Sequence, residues 1–412
     1  VSGVIMSKII NYSEVLESKR LMVGVLSVSF LLSAGNAISG TIPAMEEAFS
    51  NISKANIETL TTIPTAGIML GTVLSGVFSN YLGKKKFVLA GLIIALVGGV
   101  IPAFLPQYWP IFISRFLFGV GMGIFNPLSV SYITDLYVGD RQRSLLGYRN
   151  AVSNLGDTIM LFVAGILITF GWNITYLVFF ALLIPIVLII LFVPKEFDNF
   201  DIRNSALDEN GQISDSVSDV KPSTNLKVIE VGVVFMVITM LYNAIPLKFA
   251  SYIVTEHIGT ASTATWIFSF LVLAGIFSGV LFEKISKVFK RLTVFVFEIV
   301  IGVAYITIAF TYNIPLLTAL VLISGFGWGI INPALTARLV DVSPINSMNL
   351  STSIIVIFIS VGSLISPYFF AMFAGLFGND SAAFAIVVGG ALYMVMAVLD
   401  FIKIKKNKEL SI

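Results

Sequence analysis

GVGMGIFNPLSVSYITDL (residues 119–136) and GFGWGIINPALTARLVDV (residues 325–342) align without a gap. Gly119, Gly121, Gly123, Ile124, Asn126, Pro127 and Asp135 fall on Gly325, Gly327, Gly329, Ile330, Asn332, Pro333 and Asp341. The same offset carries Gly156 onto Gly362, and a slightly different one pairs Pro43 with Pro246 and Gly76 with Gly279. The chain is therefore a duplication. Each copy lies in an apolar run that follows no strand pattern, so the glycines do not read as a phosphate loop. Gly119 with Gly123, and Gly325 with Gly329, form small-xxx-small faces that let helices approach closely. Asn126–Pro127 and Asn332–Pro333 are expected to bend their helices, with neighbours satisfying the freed backbone groups.

The rest of the chain agrees with a bilayer setting. Of 412 residues, 57% are apolar and 12% charged, about half the charged fraction of a soluble protein. Runs long enough to span a bilayer fall near 21–43, 58–81, 87–105, 110–135, 145–170 and 172–193. After a polar break come 228–254, 260–282, 292–312, 314–340, 347–376 and 381–401. The expected fold is an all-α membrane protein, with twelve transmembrane helices as two pseudo-symmetric six-helix bundles. Residues 1–193 form the first bundle, 194–227 a polar and acidic cytoplasmic linker, and 228–412 the second.

Basic residues alternate with the spans. Lys8, Lys19, Arg20, Lys84–Lys86, Arg141, Arg143, Lys195, Lys284, Lys287 and the KIKKNK tail share one side, and the other holds almost only Lys54. The positive-inside rule then places both termini in the cytoplasm of a multi-pass cell-membrane protein. No signal peptide precedes the first span, and Met6 is the expected native start. With no cysteine and one histidine, His257 in an outer loop, neither a thiolate nor a multi-histidine metal site is expected. A net charge of +2 without a basic arm gives no nucleic-acid signal.

At this point the chain resembles the major facilitator superfamily over nearly its whole length. GVFSNYLGKKK (residues 76–86) is similar to the family's signature between helices two and three. Gly83 and Lys84 fit, and Asn80 replaces the acid; GVLFEKISKVFKR (residues 279–291) is the second-half counterpart. The resemblance implies a cytoplasmic latch of Lys84 and Asp135 in the first half, and of Glu283, Lys287 and Asp341 in the second. RFLFGVG, with Arg115 and Gly119, resembles a helix-four signature whose arginine assists proton transfer in proton-coupled members. The drug-antiporter signature of helix five is degraded: Gly147 and Gly156 match, while Met160, Leu161 and Ala164–Gly165 stand at its Gly-Pro and final positions.

Asp157 is the chemical anomaly. It sits about 18 Å from the inner end of its span, at 1.5 Å per residue, where a charge is costly. One reading makes it a proton-coupling or substrate group, with Arg115 and with Arg149 two turns before it. The other makes it a hydrogen-bonded structural acid. Arg149 also reads as part of the cytoplasmic gate. Asn36, Asn126, Asn243, Lys248 and Asn332 are substrate-cavity candidates, with Lys248 either snorkelling outward or facing the cavity. Glu298 is expected to find a structural partner among nearby cations.

Duplicated bundles place a substrate site between them near the midplane. The expected function is secondary active transport by alternating access, without cofactor, as a monomer in the bilayer. Small amphipathic or hydrophobic compounds would be exported against protons. The alternatives are proton-coupled transport of a small organic anion or nutrient, a lipid flippase and a non-transporting sensor. With no metal cluster, nucleophile motif or histidine dyad, an enzyme is not expected.

Overall fold

The structure is a computed structural model, and it describes residues 18–30, 34–137, 139–194, 223–344 and 347–409. Most of the expected linker and both chain ends lie outside that set. Among the described residues every regular element is helical.

The first half contains α1 (Lys19–Ser27), a 3-10 run (Ala34–Thr41) and α2 (Ile42–Ala48). It continues with α3 (Lys54–Leu82), α4 (Lys84–Phe104), α5 (Tyr108–Leu136) and α6 (Gly139–Leu167). Two 3-10 stretches (Ile168–Phe170 and Ile174–Leu182) lead into α7 (Leu183–Phe192). The second half contains α8 (Leu226–Tyr242), α9 (Ala244–Thr255), α10 (Ala261–Phe289), α11 (Thr293–Ile308), α12 (Ile314–Val342), α13 (Met348–Phe377) and α14 (Ala382–Glu409). Among the described residues ten helical segments are long and apolar enough to cross a membrane. The other two of the expected twelve correspond to the broken α1–α2 region, part of which is not described, and to α10, which carries the shorter apolar run Ala261–Gly275. Following the charge asymmetry, the end carrying Lys54, His257 and Asp380 is called outer, and the lysine-rich end inner.

Polar caps start the helices. The side chains of Ser53, Asn225 and Asn313 accept from the backbone N–H groups of Asn56, Val228 and Leu316. Thr260 and Thr263 cap each other reciprocally at the start of α10. Each cap satisfies donors that a helix start leaves open. The interior is apolar, and each half has its own core.

The repeated glycines explain how the halves pack. A Cβ on Gly119 would overlap the Pro64 carbonyl, and one on Gly325 the Leu271 carbonyl, so α5 lies on α3 as α12 lies on α10. Gly156 meets the Phe30 carbonyl, and Gly362 the Met236 carbonyl, in the same paired way. Helix contact at backbone distance is what small residues allow where lipid supplies no hydrophobic drive.

Two expected spans are interrupted. Helices α5 and α12 carry Pro127 and Pro333 within continuous helix. The seventh span breaks instead at Asn243, which ends α8 and starts α9 three residues before Pro246. The first span gives way to a 3-10 run over AGNAISGT, whose small and polar residues have little helix preference.

Candidate functional site

The two halves touch along α3 with α13, α6 with α10, and the 3-10 run and α2 with α9. At the centre of the outer half-contact lies a buried ion pair. Lys248 of α9 donates to Oε1 of Glu58 on α3. Glu58 is fully buried and Lys248 nearly so. The second oxygen, Oε2 of Glu58, has no hydrogen-bond partner among the described residues. Glu46 of α2 joins the same electrostatic cluster. Burial pushes its carboxyl up, while Lys248 and Lys54 oppose that shift.

Around the pair the contact is tight. Lys54 Nζ lies 2.8 Å from Asp380 Oδ2 at the exposed rim, and its donated bond draws the Asp380 carboxyl below its ordinary range. Tyr368 Oη donates to Asn56 Oδ1 at 3.1 Å. Ser262 Oγ donates to the Gly165 carbonyl at 2.5 Å, and Phe162 stacks on Trp266 with ring centroids 5.8 Å apart. Deeper in, Thr65 Oγ1 approaches the Ser360 carbonyl at 3.4 Å. Between Ser39, Gly40, Leu161, Ile245, Pro246 and Phe249 only about 10 Å³ stays empty, room for one water at most. A Cβ on Gly40 would overlap Thr265 Oγ1. The outer end of the halves is shut.

The sequence-derived candidates distribute as follows. Asp157 on α6 is buried, at 4% exposure, beside the glycine crossing at Gly156. Arg149, two turns earlier, is half-buried. It donates to Ser129 Oγ at 2.9 Å, Asn126 Oδ1 at 2.9 Å and Asn150 Oδ1 at 3.2 Å. Thus Arg149 and Asn126 are brought together, tying α6 to α5. Asn243 Nδ2 donates to Ser363 Oγ at 3.1 Å inside the second half. Asn332 is half-buried on α12, and Tyr242 stacks on Trp328 nearby in sequence with centroids 4.2 Å apart. The side chain of Asn36 lies outside the described set.

Arg115 has no carboxylate among its bonds. It is fully buried and donates to the backbone carbonyls of Leu60 at 3.2 Å and Gly35 at 2.8 Å. Its guanidinium sits 4.8 Å from the Phe118 ring and 5.5 Å from Phe179. These are first-half partners, so Arg115 binds three elements of one bundle together.

The latch residues divide. Lys84 pairs with Asp135, which also accepts from Ser131 Oγ at 2.7 Å. In the second half Lys287 pairs with Glu283 at 2.5 Å on the exposed face of α10, while Asp341 lines a separate cavity at the inner end. Glu298 departs from expectation. It is fully buried, and neither carboxyl oxygen has a hydrogen-bond partner among the described residues. The adjacent cation Arg338 is committed to Asp400 at 3.0 Å.

Glu58 is the residue sequence reading missed. The available signal was a lone acid four residues into the outer end of α3, matched by a lone lysine inside the outer part of helix seven.

Comparison with known proteins accords with this architecture. A family model described as Major Facilitator Superfamily matches residues 24–207 and 231–411. A D-xylose transporter of Levilactobacillus brevis is 27% identical over 162 residues, 37% of this chain and 34% of that protein. A bacillibactin exporter of Bacillus subtilis is 24% identical over 163 residues, 38% of this chain and 40% of that one. The chain thus spans well under half the length of the curated relatives it matches. Among solved structures, a POT family transporter in complex with a thioalcohol-conjugated peptide superposes with TM-score 0.72 at 13% identity, covering 93% of this chain and 96% of that one. A bacterial homologue of the human lysosomal transporter Spinster, inward-facing and unoccupied, gives 0.66 at 14% identity, with 95% of each chain covered. At such identities these two likenesses bear on the fold alone.

Proposed function

The chain belongs to the major facilitator superfamily and is a multi-pass membrane transporter, not an enzyme; from that premise we propose that it exports small amphipathic or hydrophobic compounds from the cytoplasm in exchange for protons. The observation that carries the proposal is the buried Glu58–Lys248 pair, which closes the outer end across the two halves. Both termini lie in the cytoplasm in this reading, and the outer-closed arrangement serves as its inward-facing state.

For the outer end to open, the Glu58–Lys248 pair must part. Separating Glu58 from Lys248 intact leaves two charges in a low-dielectric setting, a cost of about 3–5 kcal/mol by analogy with broken buried pairs. A proton on the Glu58 carboxylate removes one of those charges. The halves then part at the outer end, lysine and neutral acid separate, and substrate leaves. Return to the inward state re-forms the pair and releases the proton. Antiport follows if Glu58 takes its proton from the outer side and gives it up to the inner side, so that each cycle moves substrate out and a proton in. Asp157, buried on α6 of the first half, is the second group assigned to proton or substrate binding. Arg149 and Asn126 set the inner wall, Asn243, Lys248 and Asn332 the facing wall, and Asn36 belongs to the first-helix side. Lys84–Asp135, with Glu283, Lys287 and Asp341, constitutes the inner latch. We assign Arg115 to positioning, since it holds α5, α3 and the 3-10 run together. The bacillibactin exporter of Bacillus subtilis and a multidrug transporter protein of the same organism lend the export direction its support among relatives.

A second reading rests on Arg149, whose bonds among the described residues go to a hydroxyl and two amides and to no carboxylate. That leaves its charge available to a small organic anion taken up with protons.

Flux in proteoliposomes under an imposed pH gradient separates the two, using a panel of cationic, neutral and anionic compounds. Gradient-driven movement of neutral or cationic compounds, lost in Glu58→Gln and in Asp157→Asn while substrate exchange persists, supports proton-coupled export. Movement of anions that Arg149→Gln abolishes supports the second reading. Binding without accumulation of any compound contradicts both.

A further inference from the structure

The inner end of the second half opens into a cavity of about 880 Å³ among α8, α10, α11, α12 and α14. Six cations line it: Lys227, Lys290, Arg291, Arg338, Lys403 and Lys406. Three carboxylates face them, and two of these are already engaged. Asp400 holds Arg338, and Glu230 holds Lys403. Lys227, Lys290, Arg291 and Lys406 therefore share only Asp341, and among the described residues none of the four has a hydrogen-bonded or ion-paired partner.

The duplicated half disposes of its charges differently. There Lys84 is paired with Asp135, and Lys85 is buried and donates to the carbonyls of Ile190 and Val193. Lys84 and Lys85 are thus engaged internally in one copy, whereas the other gathers its cations round a void. General enrichment of lysine at an inner membrane surface accounts for their presence, but not for their convergence on one cavity.

Backbone geometry adds a second observation. Lys290 ends α10 with φ of 50°, in the left-handed region, which non-glycine residues seldom adopt. This turn sets Lys290 and Arg291 side by side in the short 3-10 stretch Lys290–Leu292, at the cavity mouth. The walls behind the cations are apolar, formed by Val231, Phe282, Val294 and Ala334. A cationic rim over an apolar wall at a bilayer surface matches a phosphate diester attached to a glycerol and acyl chains better than it matches a free anion.

We propose that this second-half cavity is a binding site for the headgroup of an anionic phospholipid of the inner leaflet. Lys290 and Arg291 contact the phosphate, and Lys227 and Lys406 close the site from α8 and α14. Seated there, the lipid ties α10, α11 and α14 together and biases the second half's contribution to the inner gate. The orientation comes from the reading above, whereas the test does not depend on it.

The experiment titrates dioleoyl phosphatidylglycerol into the full-length protein in phosphatidylcholine nanodiscs, which present both leaflets alike. Bound lipid is counted by native mass spectrometry and thermal stability followed in parallel. Wild type should retain phosphatidylglycerol selectively and gain stability from it. Each cation near a membrane surface contributes roughly a fivefold factor in affinity, so Lys290→Gln/Arg291→Gln should weaken retention by about twenty-five-fold. Lys227→Gln and Lys406→Gln, on separate helices, should each weaken it about fivefold, and they keep the test decisive if the double variant misfolds. Lys405→Gln, outside the cavity, should behave as wild type. Inorganic phosphate at millimolar concentration should neither stabilise the protein nor displace the lipid. Equal retention by all variants overturns the proposal, as does equal retention of phosphatidylcholine. Full competition by inorganic phosphate overturns the lipid assignment and leaves a free-anion site.

Discussion

Among the described residues two ion pairs join the halves at the outer end, and they start four residues apart on the same helix. Lys54 reaches Asp380 at the rim, where their side chains are 52% and 79% exposed; Glu58 meets Lys248 inside, at 1% and 11%. Both bridge the same gap. Water screens the first pair and leaves each partner solvated when they separate, so it is expected to contribute about 0–1 kcal/mol. The second is cut off from water, and its partners have no comparable alternative when parted. The difference shows that burial, not the count of cross-half bonds, decides which contact holds the outer end shut.

The sharpest way to break the comparison is Lys248→Met. It strands Glu58 as an unpaired acid in the interior and should destabilise the outer-closed state by about 3–5 kcal/mol at neutral pH, measured as a fall in thermal stability and a rise in outer-end accessibility. Adding Glu58→Gln should recover most of that loss, because the stranded charge goes with it. Failure of the double variant to recover would mean that packing around the pair, rather than its charge, supplies the effect.

The rim pair should respond far less. Lys54→Ala is expected to cost under about 1 kcal/mol, and that small effect should vanish at high salt, which screens exposed charges and spares buried ones. A loss equal to that of Lys248→Met would overturn the ranking.

The smallest effects lie in pH. Asp380 is drawn below its ordinary value of 3.8, chiefly by its bond from Lys54. Its contribution is therefore present above the unfolded value and is lost as pH falls through the folded one. Glu46 is raised above 4.5 by burial. Its contribution is present below 4.5 and lost as pH rises through the raised folded value. Acid and alkaline shoulders in thermal stability should disappear separately, the first in Asp380→Asn and the second in Glu46→Gln.

Much of the architecture was legible in the chain because it rests on repetition. Gly119 and Gly325, or Gly156 and Gly362, mark backbone crossings that small residues alone permit, and they recur at fixed spacing. The breaks were less legible. Pro127 and Pro333 carry the stronger breaking signal, yet their helices continue, and the seventh span parts at Asn243 ahead of Pro246. Charged groups were legible as anomalies but not as partnerships. Lys248 stood out, while Glu58 read as the edge of a span, since nothing local links residues 190 positions apart. Arg115 donates to the carbonyls of Leu60 and Gly35, and backbone acceptors leave no mark in a sequence. The asymmetry of the inner charge clusters was likewise hidden: Asp135 and Asp341 align in the repeat but differ in their partners.

The central claim is that the Glu58–Lys248 pair holds the outer end closed until Glu58 takes a proton. The chain has no cysteine, so single cysteines at Asn51 and His257, both exposed at the outer end of opposite halves, give an uncluttered pair of spin-label sites. Distance distributions should be measured by double electron–electron resonance across a pH series, in wild type and Glu58→Gln. The account predicts a short distance in wild type at neutral pH, lengthening on acidification, and the long distance in Glu58→Gln already at neutral pH. A Glu58→Gln distribution that stays short and follows the wild-type response to pH would contradict it.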